Sequence, residues 1–169
     1  MADVRSRTYS WQDPREVLDA GAALSGLEWL RGTIAGEVPY PPIAEMFGMR
    51  LVEADEGRVV WEGEPGEQHY NPLGTVHAGF ATTLLDSAMG CAFVSTAPPD
   101  TSWTTLELKA NFTRAMTADT GLVRCTGTVV HRGRTVTTTE ARLEDARGRL
   151  LAHATSTILV LGERDGAGG

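Results

Sequence analysis

The chain of 169 residues carries 22 acidic and 15 basic side chains, a formal net charge of −7 at pH 7, and 41% of its residues are hydrophobic. This balance is ordinary for a globular domain. It excludes nucleic acid and acidic membrane surfaces as main partners, because both require clustered positive charge. The sequence contains no basic leader before an apolar stretch and no apolar run of about 18 residues, so a cytoplasmic location is predicted.

The N-terminal part of the chain is predicted to be helical. Asp13-Pro14 favours the start of a first helix, and Ser25 with Glu28 fits a capping box that opens a second one. The proline-rich residues 39–42 cannot continue a helix and predict an extended connector, which a short helix over residues 43–47 follows.

Six strands are predicted beyond this point, two before a long helix over residues 76–94 and four after it. The expected strands cover residues 49–54, 58–63, 104–112, 122–131, 135–144 and 149–161. Strict alternation in the third strand predicts that Leu106, Leu108, Ala110 and Phe112 face the core. This order predicts an α+β fold, in which a curled antiparallel sheet of about five to six strands wraps around one long central helix.

The domain organisation follows from these elements. We assign residues 1–42 to an N-terminal helical extension and linker, residues 43–161 to the main domain, and residues 162–169 to a disordered tail. The two cysteines, Cys91 and Cys125, have no metal-ligand spacing and are expected in the core as small apolar side chains. No metal site is expected.

The predicted central helix carries one unusual residue, Asp86. It is the only charged residue between Asn71 and Phe93, and no Lys, Arg or His occurs between Ala78 and Leu108. A carboxylate that enters an apolar environment without a partner is costly or has its pKa raised. Asp86 therefore either hydrogen-bonds a loop backbone or serves as a general base or nucleophile.

A tight turn is predicted immediately before this helix. Asn71-Pro72 with Gly74 builds the turn, after which the first helical amides are free to bind a carbonyl oxygen or an anion. Asn71 and His77 lie close to these amides, but they are equally consistent with a turn residue and a capping donor. Gly74 and Gly79 are expected to permit close approach of the backbone.

The stretch HYNPLGTVHAGFATTLLDSAMG resembles the signature of hotdog-fold acyl-CoA thioesterases of the phenylacetate-degradation (PaaI-like) type. The resemblance extends from about residue 43 to residue 161. The residues at matching spacing are Asn71, Pro72, Gly74, His77, Gly79 and Asp86. The resemblance implies a hotdog fold and hydrolysis of an acyl-CoA thioester to a free acid and coenzyme A, with coenzyme A as part of the substrate and no cofactor.

The resemblance also implies roles for individual residues. Asp86 would activate water or attack the thioester, and the amide of Ala78 would polarise the thioester carbonyl. Asn71 would position the carbonyl or the water. Thr105 is the expected holder of the water, with Thr104 as the alternative.

Further residues are expected to contact the substrate. His77 and Gly79 would lie at the thioester, whereas Arg114, Arg132 and Arg134 either bind the phosphates of coenzyme A or are ordinary solvated arginines. By resemblance, a homodimer that assembles into a homotetramer is expected. The chain departs from the family pattern at Ala78, where glycine is commonest, and at Arg114-Ala115, where the family has Arg-Pro.

Two other functions remain open at this point. The first is a hotdog hydratase or dehydratase, which would pair a catalytic His with an Asp or Glu across the groove. The second is a non-catalytic module that binds an acyl-CoA or another small ligand. The acyl group is not identified by the sequence.

Overall fold

The computed structural model describes residues 3–163, which form four α-helices, two single-turn 3₁₀ helices and one six-stranded sheet. Most of the predicted C-terminal tail lies outside the described residues. The α-helices are α1 (Pro14–Gly21), α2 (Gly26–Ala35), α3 (Pro42–Phe47) and α4 (Ala78–Val94). The strands are β1 (Met49–Asp55), β2 (Arg58–Gly63), β3 (Thr101–Phe112), β4 (Val123–Arg132), β5 (Val136–Asp145) and β6 (Leu150–Glu163).

The N-terminal helices begin where the sequence predicts. Asp13 caps α1 by accepting a hydrogen bond from the Arg15 amide, and Ser25 and Glu28 form the reciprocal capping box of α2. The Gly26 amide then donates to the Ala97 carbonyl at 3.0 Å. A Cβ on Gly26 would lie 1.8 Å from a carbonyl oxygen at the end of α4, so only glycine allows α2 to approach this closely.

The sheet is antiparallel throughout, with strand order β1-β2-β4-β5-β6-β3. It curls around α4, which packs against β2, β4, β5 and β6. The predicted hotdog architecture, one long helix inside a curled six-stranded sheet, is confirmed. β1 and β3 are the two edge strands, and β3 pairs with β6 alone.

The core is centred on α4. Phe80, Leu84, Leu85, Met89 and Phe93 of this helix are almost fully buried against the concave face of the sheet. Burial on nearly all sides explains why the helix is apolar around most of its circumference. No helix within residues 3–163 has the length and apolar character needed to cross a membrane.

One predicted packing pattern is wrong in β3. The pairing of β3 with β6 shifts between Thr105 and Glu107, so Leu106 is an extra, bulged residue and 56% of its surface is exposed. A bulge inserts one residue and thereby exchanges the two faces of the strand. As a result, Trp103 and Thr105 share the helix-facing side with Leu108, which the sequence alternation alone does not predict.

Candidate active site

Asp86 lies near the middle of α4, on the face directed at the edge strand β3. The Thr105 hydroxyl donates a hydrogen bond to Asp86 Oδ1 at 3.3 Å. Within residues 3–163, no basic side chain and no backbone amide pairs with this carboxylate. The second carboxylate oxygen therefore remains available to a water molecule or a substrate.

The surroundings of Asp86 change its acidity. The residue is exposed at the protomer surface, yet the neighbouring apolar side chains displace enough water to raise the pKa of its carboxyl above the ordinary value. The hydrogen bond from Thr105 acts in the opposite direction and lowers the pKa by a smaller amount. A carboxylate with a raised pKa is a stronger base than an ordinary one, which suits proton abstraction.

The bulge in β3 determines which threonine reaches Asp86. Because Leu106 takes up the extra position, Thr105 is on the side of the helix, whereas Thr104 is on the exposed side. The Thr104 hydroxyl lies 3.5 Å from the carbonyl oxygen of its neighbour and makes no bond to Asp86. Of the two threonines considered from the sequence, the structure brings Thr105 to the carboxylate.

Asn71 closes its own turn in this structure. Its side-chain oxygen accepts a hydrogen bond from the Leu73 amide at 2.8 Å, and its side-chain amide donates to Thr75 Oγ1 at 3.1 Å. Gly74 has φ +78°, the left-handed conformation that the turn requires. Asn71 thus holds the loop that leads into α4 and lies beside the first turn of that helix.

The first turn of α4 leaves one amide available. His77 is the N-cap residue, and its Nδ1 accepts a hydrogen bond from the Gly79 amide at 2.8 Å, so His77 is a capping acceptor instead of the predicted donor. The Phe80 amide donates to the His77 carbonyl at 3.0 Å. Within residues 3–163, the Ala78 amide has no hydrogen-bond acceptor, and Ala78 is exposed. A free, exposed amide at a helix N-terminus is suited to binding a carbonyl oxygen.

A shallow groove of about 300 Å³ borders this amide. Asn71, Ala78, Phe112 and Arg114 lie along it, so the end of β3 meets the first turn of α4 there. Arg114 is exposed at this groove, near enough to the helix start to meet an anionic group bound beside it.

The other two candidate arginines lie at the opposite end of α4. The Arg132 guanidinium stacks 4.7 Å above the Phe93 ring and donates to Thr96 Oγ1 at 3.2 Å. Arg134 is exposed in the turn that follows β4. Since a 17-residue helix is about 25 Å long, one protomer does not gather Arg114 and these two arginines at one ligand.

Ala78 and Asp86 are likewise separated within one protomer. They are eight residues apart on the same helix, which corresponds to about 12 Å along its axis. Reacting groups in a single site must approach to about 3–3.5 Å. Within residues 3–163 there is also no group of three or more His, Cys, Asp or Glu side chains arranged to hold a metal ion.

Comparison with known proteins gives consistent matches. A sequence model of the Thioesterase superfamily matches residues 73–152. Human acyl-coenzyme A thioesterase 13 is 32% identical over 111 residues, which cover 63% of this chain and 76% of that protein. The 1,4-dihydroxy-2-naphthoyl-CoA hydrolase of Listeria monocytogenes is 28% identical over 122 residues, covering 72% of this chain and 98% of the relative.

A solved structure agrees with these sequence matches. The crystal structure of a phenylacetic acid degradation-related protein from Ralstonia eutropha JMP134 superposes with a TM-score of 0.71 at 28% identity. The superposition covers 78% of this chain and 98% of the other.

Proposed function

The chain belongs to the thioesterase superfamily and is a thioester hydrolase, and we propose that it hydrolyses an acyl-CoA thioester to a free acid and coenzyme A. The observation that carries this proposal is the Asp86 carboxylate, which has a raised pKa and is held by the Thr105 hydroxyl. The coenzyme A part of the proposal also has support from the relatives, since those named above are acyl-CoA hydrolases by name.

In the proposed reaction, Asp86 acts as a general base. Its free oxygen takes a proton from a water molecule, whose oxygen attacks the thioester carbonyl carbon. The electron pair of the carbonyl moves to its oxygen, which the Ala78 amide stabilises as an oxyanion. Collapse of this intermediate breaks the carbon–sulfur bond, and the thiolate of coenzyme A takes up the proton. Water is consumed and no other reactant is needed.

The site requires two protomers, because the amide and the carboxylate of one helix lie too far apart. The edge strand β3 offers the means of pairing, since its outer edge is unpaired in the protomer and Leu106 and Phe112 on it are half exposed. Thr105 marks the Asp86 end of this strand, and Phe112 marks the Ala78 end. Antiparallel pairing of two β3 strands about Lys109 therefore brings the Ala78 end of one protomer to Asp86 of the other.

The same pairing gives Arg114 a place beside the bound substrate. The groove with Arg114 lies beside the Ala78 amide, so Arg114 would meet the coenzyme A portion of a thioester bound there. Binding of its phosphates by an arginine is favourable through charge-assisted hydrogen bonds. Arg132 already has protein partners, which makes it the weaker candidate of the three.

The hydratase alternative requires a His that works with the carboxylate. His77 is the candidate on this helix, but its Nδ1 already accepts the Gly79 amide. The proposed pairing brings the start of α4 in one protomer toward Asp86 of the other, so the capping bond to Gly79, and not distance, argues against a catalytic role for His77. We therefore propose hydrolysis without a catalytic histidine.

The test is Asp86→Asn, measured with a panel of acyl-CoA thioesters and a thiol reagent that detects released coenzyme A. Loss of a positioned base should lower kcat by about 10²- to 10⁴-fold. Glu140→Gln is the matched control, since it changes an exposed carboxylate on β5, away from β3 and α4, to an amide. Activity of Asp86→Asn within a few-fold of the wild type would exclude the catalytic assignment.

A single-turnover experiment with the wild-type protein distinguishes whether Asp86 acts as a general base or as a nucleophile. In a single turnover in ¹⁸O-labelled water, a general base places the label in the released acid. A nucleophilic Asp86 would instead displace the thiolate of coenzyme A and form a mixed anhydride. When water then attacks the Asp86 carbonyl carbon of this anhydride, the label enters Asp86, and the first acid released keeps the unlabelled oxygen of the enzyme.

A further inference from the structure

The bulge at Leu106 decides which side of β3 carries Thr105. Between Thr105 and Glu107, β3 advances two residues while its partner β6 advances one. A bulge of this kind interrupts the regular ladder of the sheet. In the regular register Thr105 would face away from α4, because a shift of one residue exchanges the two faces of a strand. β3 is an edge strand that pairs with β6 alone, so β6 is the strand that can hold the bulge.

The side chain of Ser156 on β6 contacts the residue that follows the bulge. Its hydroxyl donates a hydrogen bond to the carbonyl oxygen of Glu107 at 2.7 Å, the usual distance for a good bond between two oxygen atoms. Ser156 pairs with Leu108, the neighbour of Glu107, so the bond runs diagonally between the two strands. It fastens the backbone of β3 at the point where the ladder is interrupted.

Ser156 occupies a position where an apolar side chain would be expected. It is 1% exposed on the helix-facing side of β6, between the buried residues Ala154 and Ile158. A buried hydroxyl costs free energy unless it has a hydrogen-bond partner. Within residues 3–163, the acceptor of this hydroxyl is the Glu107 carbonyl. Packing of the core alone gives no reason for a hydroxyl at this position, whereas the bulge does.

A second hydroxyl of β6 contacts Glu107 from the outer side of the sheet. Thr157 donates to the Glu107 carboxylate at 2.8 Å. This bond is exposed, so water competes for both groups, and it reaches the side chain and not the backbone. A side chain with several rotatable bonds can keep such a bond while the backbone moves. Ser156 is therefore the contact that resists a change of register.

We propose that Ser156 is a positioning residue of the site, which holds the bulge of β3 and thereby keeps Thr105 turned toward Asp86. The inference rests on the proposed hydrolysis at Asp86 and adds to it a residue that acts through Thr105 and not on the substrate. The connection runs from the Ser156 hydroxyl to the Glu107 carbonyl, and from there two residues along β3 to the hydroxyl that bonds the carboxylate. Without the serine hydroxyl, the bulge relaxes and the bond between Thr105 and Asp86 weakens.

The first experiment measures the pKa of Asp86 without catalysis. ¹³C NMR of protein labelled at aspartate follows the carboxyl carbon, and the signal that is missing from Asp86→Asn is assigned to Asp86. Because the Thr105 hydroxyl lowers this pKa, Ser156→Ala should raise it, in the same direction as Thr105→Val. In the Thr105→Val background, Ser156→Ala should produce no further change, since the bond through which it acts is already absent.

The titration of Asp86 can be followed without interference from its neighbours. Within residues 3–163, no charged side chain contributes to the shift of its pKa. Cys91, five residues further along α4, is a titratable group that is coupled to Asp86. Burial foremost raises the pKa of its thiol to about 12, so the thiol stays neutral over the range in which a carboxyl titrates.

Two further variants separate the lost hydrogen bond from a change in packing. Ser156→Cys nearly keeps the shape of the side chain but offers only a weak donor, so it should raise the pKa as Ser156→Ala does. It also carries the test if Ser156→Ala does not fold. Ser95→Ala is the matched control, because Ser95 is buried too and its hydroxyl donates to the Ala92 carbonyl at 2.7 Å. Ser95 lies about 13 Å along the helix axis from Asp86, so its loss should leave the pKa of Asp86 unchanged.

The second experiment measures the release of coenzyme A by the same variants. Ser156→Ala should lower kcat by up to about 10²-fold, the effect that a small misplacement of a reacting group can produce. KM should stay nearly unchanged, because Ser156 does not contact the substrate. The acid limb of the pH–kcat/KM profile should move to higher pH, and the double variant with Thr105→Val should behave as Thr105→Val alone. Ser95→Ala should retain wild-type kinetics.

The outcomes separate this inference from the proposed function. If folded Ser156→Ala leaves the pKa of Asp86 unchanged, or shifts it equally in the Thr105→Val background, Ser156 does not act through Thr105 and the inference is wrong. If the shift appears and is lost in the double variant while the wild type hydrolyses no thioester, the proposed function fails and the positioning of Thr105 stands. An active protein in which the pKa shifts but kcat does not change contradicts the role in catalysis. A shift that is accompanied by the loss of kcat supports both.

Discussion

Replacing Ala78 with proline removes the amide hydrogen that the proposed site uses and preserves the start of α4. Ala78 is the first residue of α4, the position where proline is most readily accepted in a helix. The preceding residue, His77, has φ −62° and ψ 139°, which is the extended conformation that a following proline requires. Because Ala78 is exposed and its amide has no intramolecular acceptor, the substitution breaks no hydrogen bond of the protomer.

The expected loss of activity follows from the role of that amide. Removal of a single oxyanion donor typically lowers kcat by about 10²- to 10³-fold, or about 2.7–4 kcal/mol of transition-state stabilisation. Ala78→Pro should show this loss with an unchanged thermal melting temperature. The capping bond between the Gly79 amide and His77 remains, so the helix start is preserved.

The assay is steady-state release of coenzyme A, with melting and oligomeric state measured in parallel. Ala78→Gly is the matched control, since it also changes the side chain but keeps the amide. If Ala78→Pro is folded and its kcat stays within about threefold of the wild type, the amide does not stabilise the oxyanion.

Two further outcomes are expected. Thr105→Val removes the hydrogen bond that lowers the pKa of Asp86, so the pKa rises further. Since the base must be ionised, the acid limb of the pH–kcat/KM profile should move to higher pH. Thr105→Ser keeps a hydroxyl and should restore the limb to its wild-type position. A limb that does not move in Thr105→Val contradicts the assignment. Arg114→Ala should raise KM for the thioester and weaken the increase of KM with salt, because exposed charges are screened over about 10 Å at 0.1 M ionic strength. Arg15→Ala, at an exposed arginine of α1 that is not a candidate, is the control, and equal effects of both variants would refute a specific role for Arg114.

The central part of the fold was predictable because local patterns determine it. The apolar segment with one carboxylate gives α4, two residues shorter at its start than predicted, and the capping box of Ser25 and Glu28 forms as expected. Glycine turns between alternating strands likewise predict the antiparallel order of the last three strands. In each case the residues that determine the element lie within it.

The bulge in β3 could not be predicted in the same way. Its position depends on the register between β3 and β6, strands that lie about forty residues apart in the chain. In a regular strand, Leu106 would face the helix together with Thr104, and Thr105 would face outward. The bulge reverses this arrangement, so that Thr105 faces the helix. Sequence reasoning could therefore name two threonines, but only the sheet pairing selects Thr105.

The turn before α4 shows a different limit. Asn71 and His77 were compatible with either a local or a substrate-binding role, and both make local hydrogen bonds in the protomer. A short-range pattern reveals which donors and acceptors are present, but it does not reveal whether an incoming carbonyl competes with the turn for them. In the proposed shared site, that competition depends on how the second protomer approaches the turn.

A site shared between two protomers makes a quantitative prediction for mixed dimers. In the proposed shared site, Asp86→Asn removes the base, and Ala78→Pro removes the amide that would serve the carboxylate of the partner protomer. Each variant alone is inactive in both of its sites. In a mixed dimer of symmetric pairing, one site contains both substitutions and the other contains neither.

Co-refolding equal amounts of the two variants should therefore restore activity. Random association makes about half of the dimers mixed, and each mixed dimer has one intact site of two, so about a quarter of the wild-type activity should return. Purification through two different affinity tags should raise this value to about half. If one protomer supplied both groups of a site, no mixed dimer would contain an intact site. Purified mixed dimers that remain inactive would therefore show that Asp86 and Ala78 do not meet across the β3 edge.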